Sequence, residues 1–107
     1  MDLLFAYITT SSPDEARSLG EILVEEKLAA CVNILPKMES IYHWEGKLET
    51  ADESVLIAKT RSDLRDALQK RVLELHSYDC PCVVFLPVMD GNPAYLEWIH
   101  RETRGEN

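Results

Sequence analysis

Residues 40–60 read Ser40-Ile41-Tyr42-His43-Trp44-Glu45-Gly46-Lys47-Leu48-Glu49-Thr50-Ala51-Asp52-Glu53-Ser54-Val55-Leu56-Ile57-Ala58-Lys59-Thr60. Tyr42 and Trp44 alternate with Ile41 and His43, which is the period of a strand, and Glu45-Gly46 supplies a turn. Residues 47–60 then run back as a long partner, with Val55 and Ile57 on the face opposite Leu56 and Ala58. Strands usually have about five or six residues, so this hairpin is longer than its own domain needs. Its distal end is expected to find a partner elsewhere.

Working outward from the hairpin, residues 3–9 are a short, nearly continuous apolar run, suited to a strand covered on both faces or central under helices. Ser12-Pro13-Asp14-Glu15 follows, with a capping hydroxyl, a proline at the first helical position and a glutamate placed to complete a capping box. Ala16, Leu19, Ile22, Leu23 and Lys27 keep helical spacing, which predicts a helix through Leu28. Residues 30–35 return to strand composition. Pro36 predicts an edge or an irregular stretch before the hairpin resumes at Ser40.

Downstream, Ser62-Asp63-Leu64 opens a second helix with Leu64, Leu68, Val72 and Leu75 on one stripe and Ala67 beside it. A connection through His76-Ser77-Tyr78-Asp79-Cys80-Pro81 leads to a strand over 82–88. After Asp90-Gly91, Asn92 is placed to cap and Pro93 to begin a third helix through about Thr103, carrying Tyr95, Leu96, Trp98 and Ile99. The tail beyond is polar and expected to fray.

The order β-α-β-β-α-β plus one helix predicts an α+β, ferredoxin-like sandwich, with two helices on one face of a four-stranded antiparallel sheet. The other sheet face carries no helix in this scheme, yet residues 47–60 and 82–88 are apolar on both sides. Another subunit is therefore expected to cover part of it.

Composition sets the outer bounds. The 107 residues, with 46% hydrophobic and 28% charged side chains, predict one domain over 1–107 that folds without a required cofactor. Eleven basic against nineteen acidic side chains give a formal charge of -8, and the basic ones are scattered, which argues against nucleic acid as a partner. No apolar run approaches the roughly 18 residues of a membrane span, and Met1-Asp2-Leu3-Leu4-Phe5 lacks a basic leader. A soluble, cytoplasmic protein without a membrane partner is expected. With 3 cysteines, Cys31, Cys80 and Cys82 are expected to be reduced thiols, since an odd count cannot close into pairs.

Taken in order, several stretches resemble the CutA divalent-cation tolerance family over essentially the whole chain. They are Leu28-Ala29-Ala30-Cys31-Val32-Asn33-Ile34, then Tyr42-His43-Trp44-Glu45-Gly46-Lys47 with Glu49, then Leu56-Ile57-Ala58-Lys59-Thr60. His76-Ser77-Tyr78-Asp79-Cys80-Pro81 and Gly91-Asn92-Pro93-Ala94-Tyr95-Leu96-Glu97-Trp98-Ile99 complete the series. The resemblance implies a tightly packed homotrimer in which each long hairpin extends a neighbour's sheet. It also implies an association with tolerance of copper and other divalent metals, a likeness to PII-type signalling trimers, and no enzymatic activity.

Two departures from the family pattern stand out. Where the family usually writes His-Pro-Tyr-Glu, this chain has His76-Ser77-Tyr78-Asp79, which removes a rigidifying proline and predicts a more mobile loop. Copper-ligand positions described for some members include a cysteine near the end of strand one and a second histidine beside the loop histidine. Here those positions hold Ile8 or Thr9 and Leu75, so a copper site built that way is incomplete.

His76, Cys80 and Cys82 place an imidazole and two potential thiolates close together in sequence, and Asp79 adds a carboxylate. Soft sulfur with imidazole suits Cu(I) or Zn(II). The Cys-Pro-Cys spacing is not the usual structural-zinc pattern, and cysteine opening a buried strand commonly acts as a small apolar side chain. His76, Cys80, Asp79 and Cys31 are therefore candidate metal ligands, with loop and core packing as the competing reading. Glu53 and Lys59 share a strand face by even spacing; with Tyr78 and Trp44 they are candidates to line an intersubunit cleft, and a salt-bridged interface explains them equally well. Tyr42, Trp44, Tyr95 and Trp98 suit packing better than a ligand cage.

Two functions of different class follow: a metal-binding or metal-responsive trimer, and a PII-like signalling or scaffold trimer holding a small metabolite or anion in its clefts. A thiol enzyme built on Cys80, His76 and Asp79 is set aside, because triad partners normally converge from separate elements. An acylphosphatase-like reading fails for want of a glycine-rich, arginine-bearing loop after strand one.

Overall fold

The computed structural model describes residues 2–104. Glu45 and Gly46 take φ of 50° and 79°, the left-handed conformations of a two-residue hairpin loop whose twist matches its strands. They join strand β2 (Cys31–Trp44) to strand β3 (Lys47–Arg61), paired from Trp44 opposite Lys47 to Cys31 opposite Lys59. Strand β1 (Leu3–Thr10) pairs with β3 from Leu3 opposite Arg61 to Thr10 opposite Ser54, and strand β4 (Val83–Val88) pairs with β1 on its other side. All pairings are antiparallel and the sheet order is β2-β3-β1-β4, the ferredoxin-like order.

β1 stops pairing at Ser54, so residues 47–53 run on with β2 alone as a free ribbon. At ~3.4 Å per residue that is an overhang of about 24 Å. It accounts for the elongated outline, 49 Å in the longest direction against 26 and 22 Å in the others.

Pro36 falls, as expected, on an edge strand at an irregularity, and the strand runs on through it. β2 is continuous across it, and a register shift between Leu35 and Met38 absorbs Pro36 and Lys37 as a bulge, pinned where Ser54 Oγ donates to the Pro36 carbonyl at 2.7 Å. Pro36 and Pro87 both lie on edge strands, where a missing N–H costs little.

Helix α1 (Pro13–Glu25) ends earlier than the helix through Leu28 that its spacing predicts. Lys27 turns left-handed with φ 59°; its N–H bonds the Val24 carbonyl at 3.0 Å and the Leu28 N–H bonds the Leu23 carbonyl at 2.9 Å. Those paired bonds are a Schellman ending, with lysine where glycine is usual. A 3-10 turn (Ser62–Leu64) precedes helix α2 (Arg65–Leu75). In helix α3 (Pro93–Glu102) Asn92 holds the cap position, but its side chain makes no capping bond; its carbonyl instead accepts from Tyr95 and Leu96.

Ala6, Ile8, Leu56 and Ala58 meet Ala16, Leu19 and Leu23 of α1 and Leu68 and Val72 of α2 in the main core. Each large aliphatic fully buried there contributes about 1.5–3 kcal/mol. Gly20 lets α1 lie close on the sheet: a Cβ there would meet Val32 Cγ2 at 2.7 Å. Arg71 of α2 grips Glu26 with two bonds of 2.9 Å, joining the helices outside the core.

The opposite face is not helix-free, contrary to the expectation. α3 lies on one end of it, burying Ile99 against Leu3 and Ala30 with Val88, Tyr95, Leu96 and Trp98 around them. Beyond α3 the face stays apolar and open: Leu35, Val84 and Leu86 are 52%, 48% and 53% exposed. Among the described residues no helix is long and apolar enough to cross a membrane. The polar tail expected to fray lies, from residue 105 on, outside the described residues.

Candidate functional site

The loop after α2 is stitched to the end of β1. Thr9 N donates to the Cys82 carbonyl at 3.3 Å, and His76 Nε2 lies 2.7 Å from the Thr9 carbonyl. His76 Nδ1 accepts the Tyr78 backbone N–H at 3.1 Å, so the acceptor at Thr9 fixes the neutral Nε2–H tautomer. The imidazole is fully buried, and each ring nitrogen has a partner. No lone pair of His76 is left for a metal, and its contacts are those of a loop anchor. Neither nitrogen is engaged with Cys80.

Glu15 ties the same loop to α1. The Glu15 N–H bonds Ser12 Oγ at 3.1 Å as the capping pattern predicts, but the carboxylate passes over Ser12. It takes Ser11 N and Ser11 Oγ, each at 2.8 Å, on Oε1 and Ser77 N at 2.9 Å on Oε2. Burial raises the pKa of this carboxyl, yet the hydrogen bonds from Ser11 and Ser77 outweigh it and hold the group down at about 2. The bond from Ser77 N is one that a proline in its place could not make.

Tyr78 then crosses to the ribbon, donating its hydroxyl to Glu53 Oε2 at 2.8 Å. Burial, the bonded Glu53 carboxylate and the nearby charges push its pKa up to about 12. Loop and ribbon together enclose a cleft of ≈580 Å3. Tyr42, Trp44, Glu49, Ala51 and Glu53 form its ribbon wall; Tyr78, Asp79, Cys80 and Cys82 form the loop wall, with Thr9 between. Asp79 and Cys80 are exposed, and Cys82, just ahead of β4, is half-buried.

The structure thus brings together Glu53, Tyr78 and Trp44 of the expected cleft set, and Asp79 and Cys80 of the expected metal set. Lys59 shares the strand face of Glu53 but sits six positions along β3, about 20 Å away at ~3.4 Å per residue. There its ammonium donates to Tyr95 Oη at 2.9 Å and lies over the Phe5 and Tyr95 rings. Cys31, opposite Lys59 in the register, has Tyr95 Oη at 3.6 Å and belongs to that end of the sheet, not to the loop. Among the described residues no three His, Cys, Asp or Glu side chains stand close enough to hold one ion.

The four aromatics considered as one set divide in two. Tyr95 and Trp98 stack at 5.6 Å in α3, whereas Tyr42 and Trp44 stand 42% and 64% exposed on the ribbon. Sequence reasoning assigned Glu15 a cap alone and left Glu49 without a role. Glu49 lies opposite Tyr42 and an even number of residues from Glu53, a signal that could have placed it in the cleft.

The fold and cleft define a class: a ferredoxin-like α+β chain with an overlong ribbon, an extra helix on its open face, and an acidic, aromatic recess where ribbon meets loop. The chain belongs to the CutA1 divalent ion tolerance protein family, which matches residues 4–102. It is similar to the protein CutA 1, chloroplastic, of Oryza sativa, 46% identical over 101 residues, covering 94% of this chain and 57% of that protein. The divalent-cation tolerance protein CutA of Thermus thermophilus is 44% identical over 96 residues, covering 90% of this chain and 93% of that one. The crystal structure of CutA1 from Oryza sativa superposes with a TM-score of 0.95 at 44% identity, covering 99% of this chain and 97% of that one.

Proposed function

We propose that the chain is a subunit of a homotrimer that binds copper or a divalent metal ion and works by binding and not by catalysis. The observation that carries this is the makeup of the cleft: Glu49, Glu53, Asp79, Cys80 and Cys82 line it and no Lys, Arg or His does. Such a lining raises the local concentration of cations and opposes anions. That favours a metal over the anionic metabolite of a PII-like signalling trimer. With His76 already spent, the donors left on the loop are the Cys80 and Cys82 sulfurs and the Asp79 carboxylate, a set that suits Cu(I) or Zn(II). In this reading the set is completed by a neighbouring subunit or by movement of the exposed Cys80.

Three features support assembly: the open apolar face of Leu35, Val84 and Leu86, the free edge of β4, and a ribbon that overruns its own sheet. Three free thiols suit a reducing compartment such as the cytoplasm.

Titration calorimetry of reduced protein with Cu(I), Cu(II) and Zn(II), run beside sedimentation, tests the proposal. Saturable binding by a trimer, lost in a Cys80→Ser/Cys82→Ser/Asp79→Asn variant, is expected. Equal binding by that variant removes the direct-binding reading, and a stable monomer removes the trimer.

A further inference from the structure

The aromatic part of the cleft is left unexplained by a metal. Tyr42, Trp44 and Tyr78 line it beside Glu49, Glu53 and Asp79. A hydrated metal ion gains little from ring faces and wants several converging oxygen or sulfur donors. Organic cations behave differently. They hold their water less tightly than a divalent metal ion, are attracted to the faces of Trp and Tyr rings, and donate N–H bonds to carboxylates one at a time.

The charge balance points the same way. Among the described residues none of Glu49, Glu53 and Asp79 is in an ion pair. Lys47, opposite Trp44 on the ribbon, is not part of the lining. The hydrogen-bond partner of Glu53 is Tyr78, a neutral donor that holds the carboxylate in place without neutralising it. An anion would meet uncompensated carboxylates here. A neutral apolar molecule would strip water from them with nothing in return. The ≈580 Å3 of space falls in the range of small-molecule sites, roughly 300–1,000 Å3.

We infer that Tyr42, Trp44 and Tyr78, with Glu49 and Glu53, form a binding site for an organic ammonium ion such as an alkyl diamine. The rings supply the walls and the two carboxylates receive the N–H groups. This goes beyond the metal reading, because it uses the ribbon wall and not the thiols of the loop wall. It shares with that reading the acidic lining and the premise that the cleft stays open in the assembled protein.

The test uses the full chain, reduced, with 1,4-diaminobutane as probe and 1,4-butanediol, of equal length and no charge, as control. Saturable diamine binding at least tenfold tighter than diol binding is expected, weakening as salt is added. Trp44→Ala and Glu49→Gln/Glu53→Gln should each weaken it at least tenfold. Their fold is checked by circular dichroism, and Trp44 and Glu49 are exposed enough that truncation leaves the core intact. Cys80→Ser/Cys82→Ser should lose Zn(II) and keep diamine. Diol binding as tightly as diamine, no diamine binding, or diamine affinity unmoved by the Trp44 and glutamate variants overturns the inference. Sedimentation is read separately: a monomer that binds diamine overturns the trimer and leaves this site standing.

Discussion

Tyr78 gives its phenolic hydrogen to Glu53 across 2.8 Å, and this bond joins the loop after α2 to a ribbon that β1 has already left. The ribbon gains a side-to-side brace where backbone pairing with β1 has run out. Replacing Tyr78 with Phe removes the donor and should cost about 1 kcal/mol, the net value of such a bond to a carboxylate that water can partly re-solvate. Because folding raises the Tyr78 pKa from 10.0 to about 12, the wild type should lose stability as pH climbs through that interval. Below pH 10 the contribution is fully present. Urea unfolding at stepped alkaline pH should show the decline in wild type and a shallower one in Tyr78→Phe.

Glu15 predicts the opposite end of the pH scale. Its carboxyl is held at about 2 when folded against an ordinary 4.5, so its stabilisation is complete above pH 4.5 and is lost as pH falls toward 2. Glu15→Gln keeps the shape, discards the charge, and should cost about 1–3 kcal/mol at neutral pH. Its unfolding midpoint should also fall less between pH 4.5 and 2 than that of wild type.

At Gly20 two effects oppose each other. Alanine there gains about 1 kcal/mol of helix propensity, but its Cβ would stand 2.7 Å from Val32 Cγ2, and valine has few rotamers to escape into. Overpacking of about 1–3 kcal/mol should win, lowering the melting temperature. Adding Val32→Ala removes the colliding methyl, so the Gly20→Ala change should then be tolerated far better, a coupling that a double-mutant cycle measures directly.

Lys27 sits at φ 59°, where a Cβ is crowded. Lys27→Gly should raise stability by about 0.5–1 kcal/mol, because glycine adopts this conformation freely and the Schellman bonds of Lys27 N and Leu28 N are main-chain. Unchanged or lower thermal stability would show that the lysine side chain contributes more than its backbone strain costs.

The element order, the hairpin turn at Glu45-Gly46 and the stripe of Leu68 and Val72 were legible because periodicity and turn chemistry are local properties. The end of α1 was not: nothing about Lys27 announces a left-handed residue, and Leu28, four positions after Val24, keeps apolar spacing past the true stop. Pro36 correctly marked an irregular stretch on an edge strand, and the bulge there lets β2 continue through it. In the site, Glu53, Tyr78 and Trp44 could be grouped from strand parity and loop position. The state of His76 could not, because both of its partners are main-chain groups that no side-chain pattern reports: the Tyr78 N–H comes from the local loop turn, and the Thr9 carbonyl is brought in by tertiary folding. Lys59 and Cys31, opposite each other on β3 and β2, were separated from the cleft by length along those strands, which parity does not report.

The overhang of residues 47–53 makes the molecule lopsided, with a protruding arm at one end and a bare β4 rim elsewhere. In the assembly proposed above, an arm that grasped the rim of the next copy would create a polar, head-to-tail link, and such links either bend round into a closed ring or propagate without limit. The tilt of the arm then decides between a finite particle and a fibre. A lesion that straightens or loosens it, far from any ligand, would reveal itself as turbidity before any loss of binding.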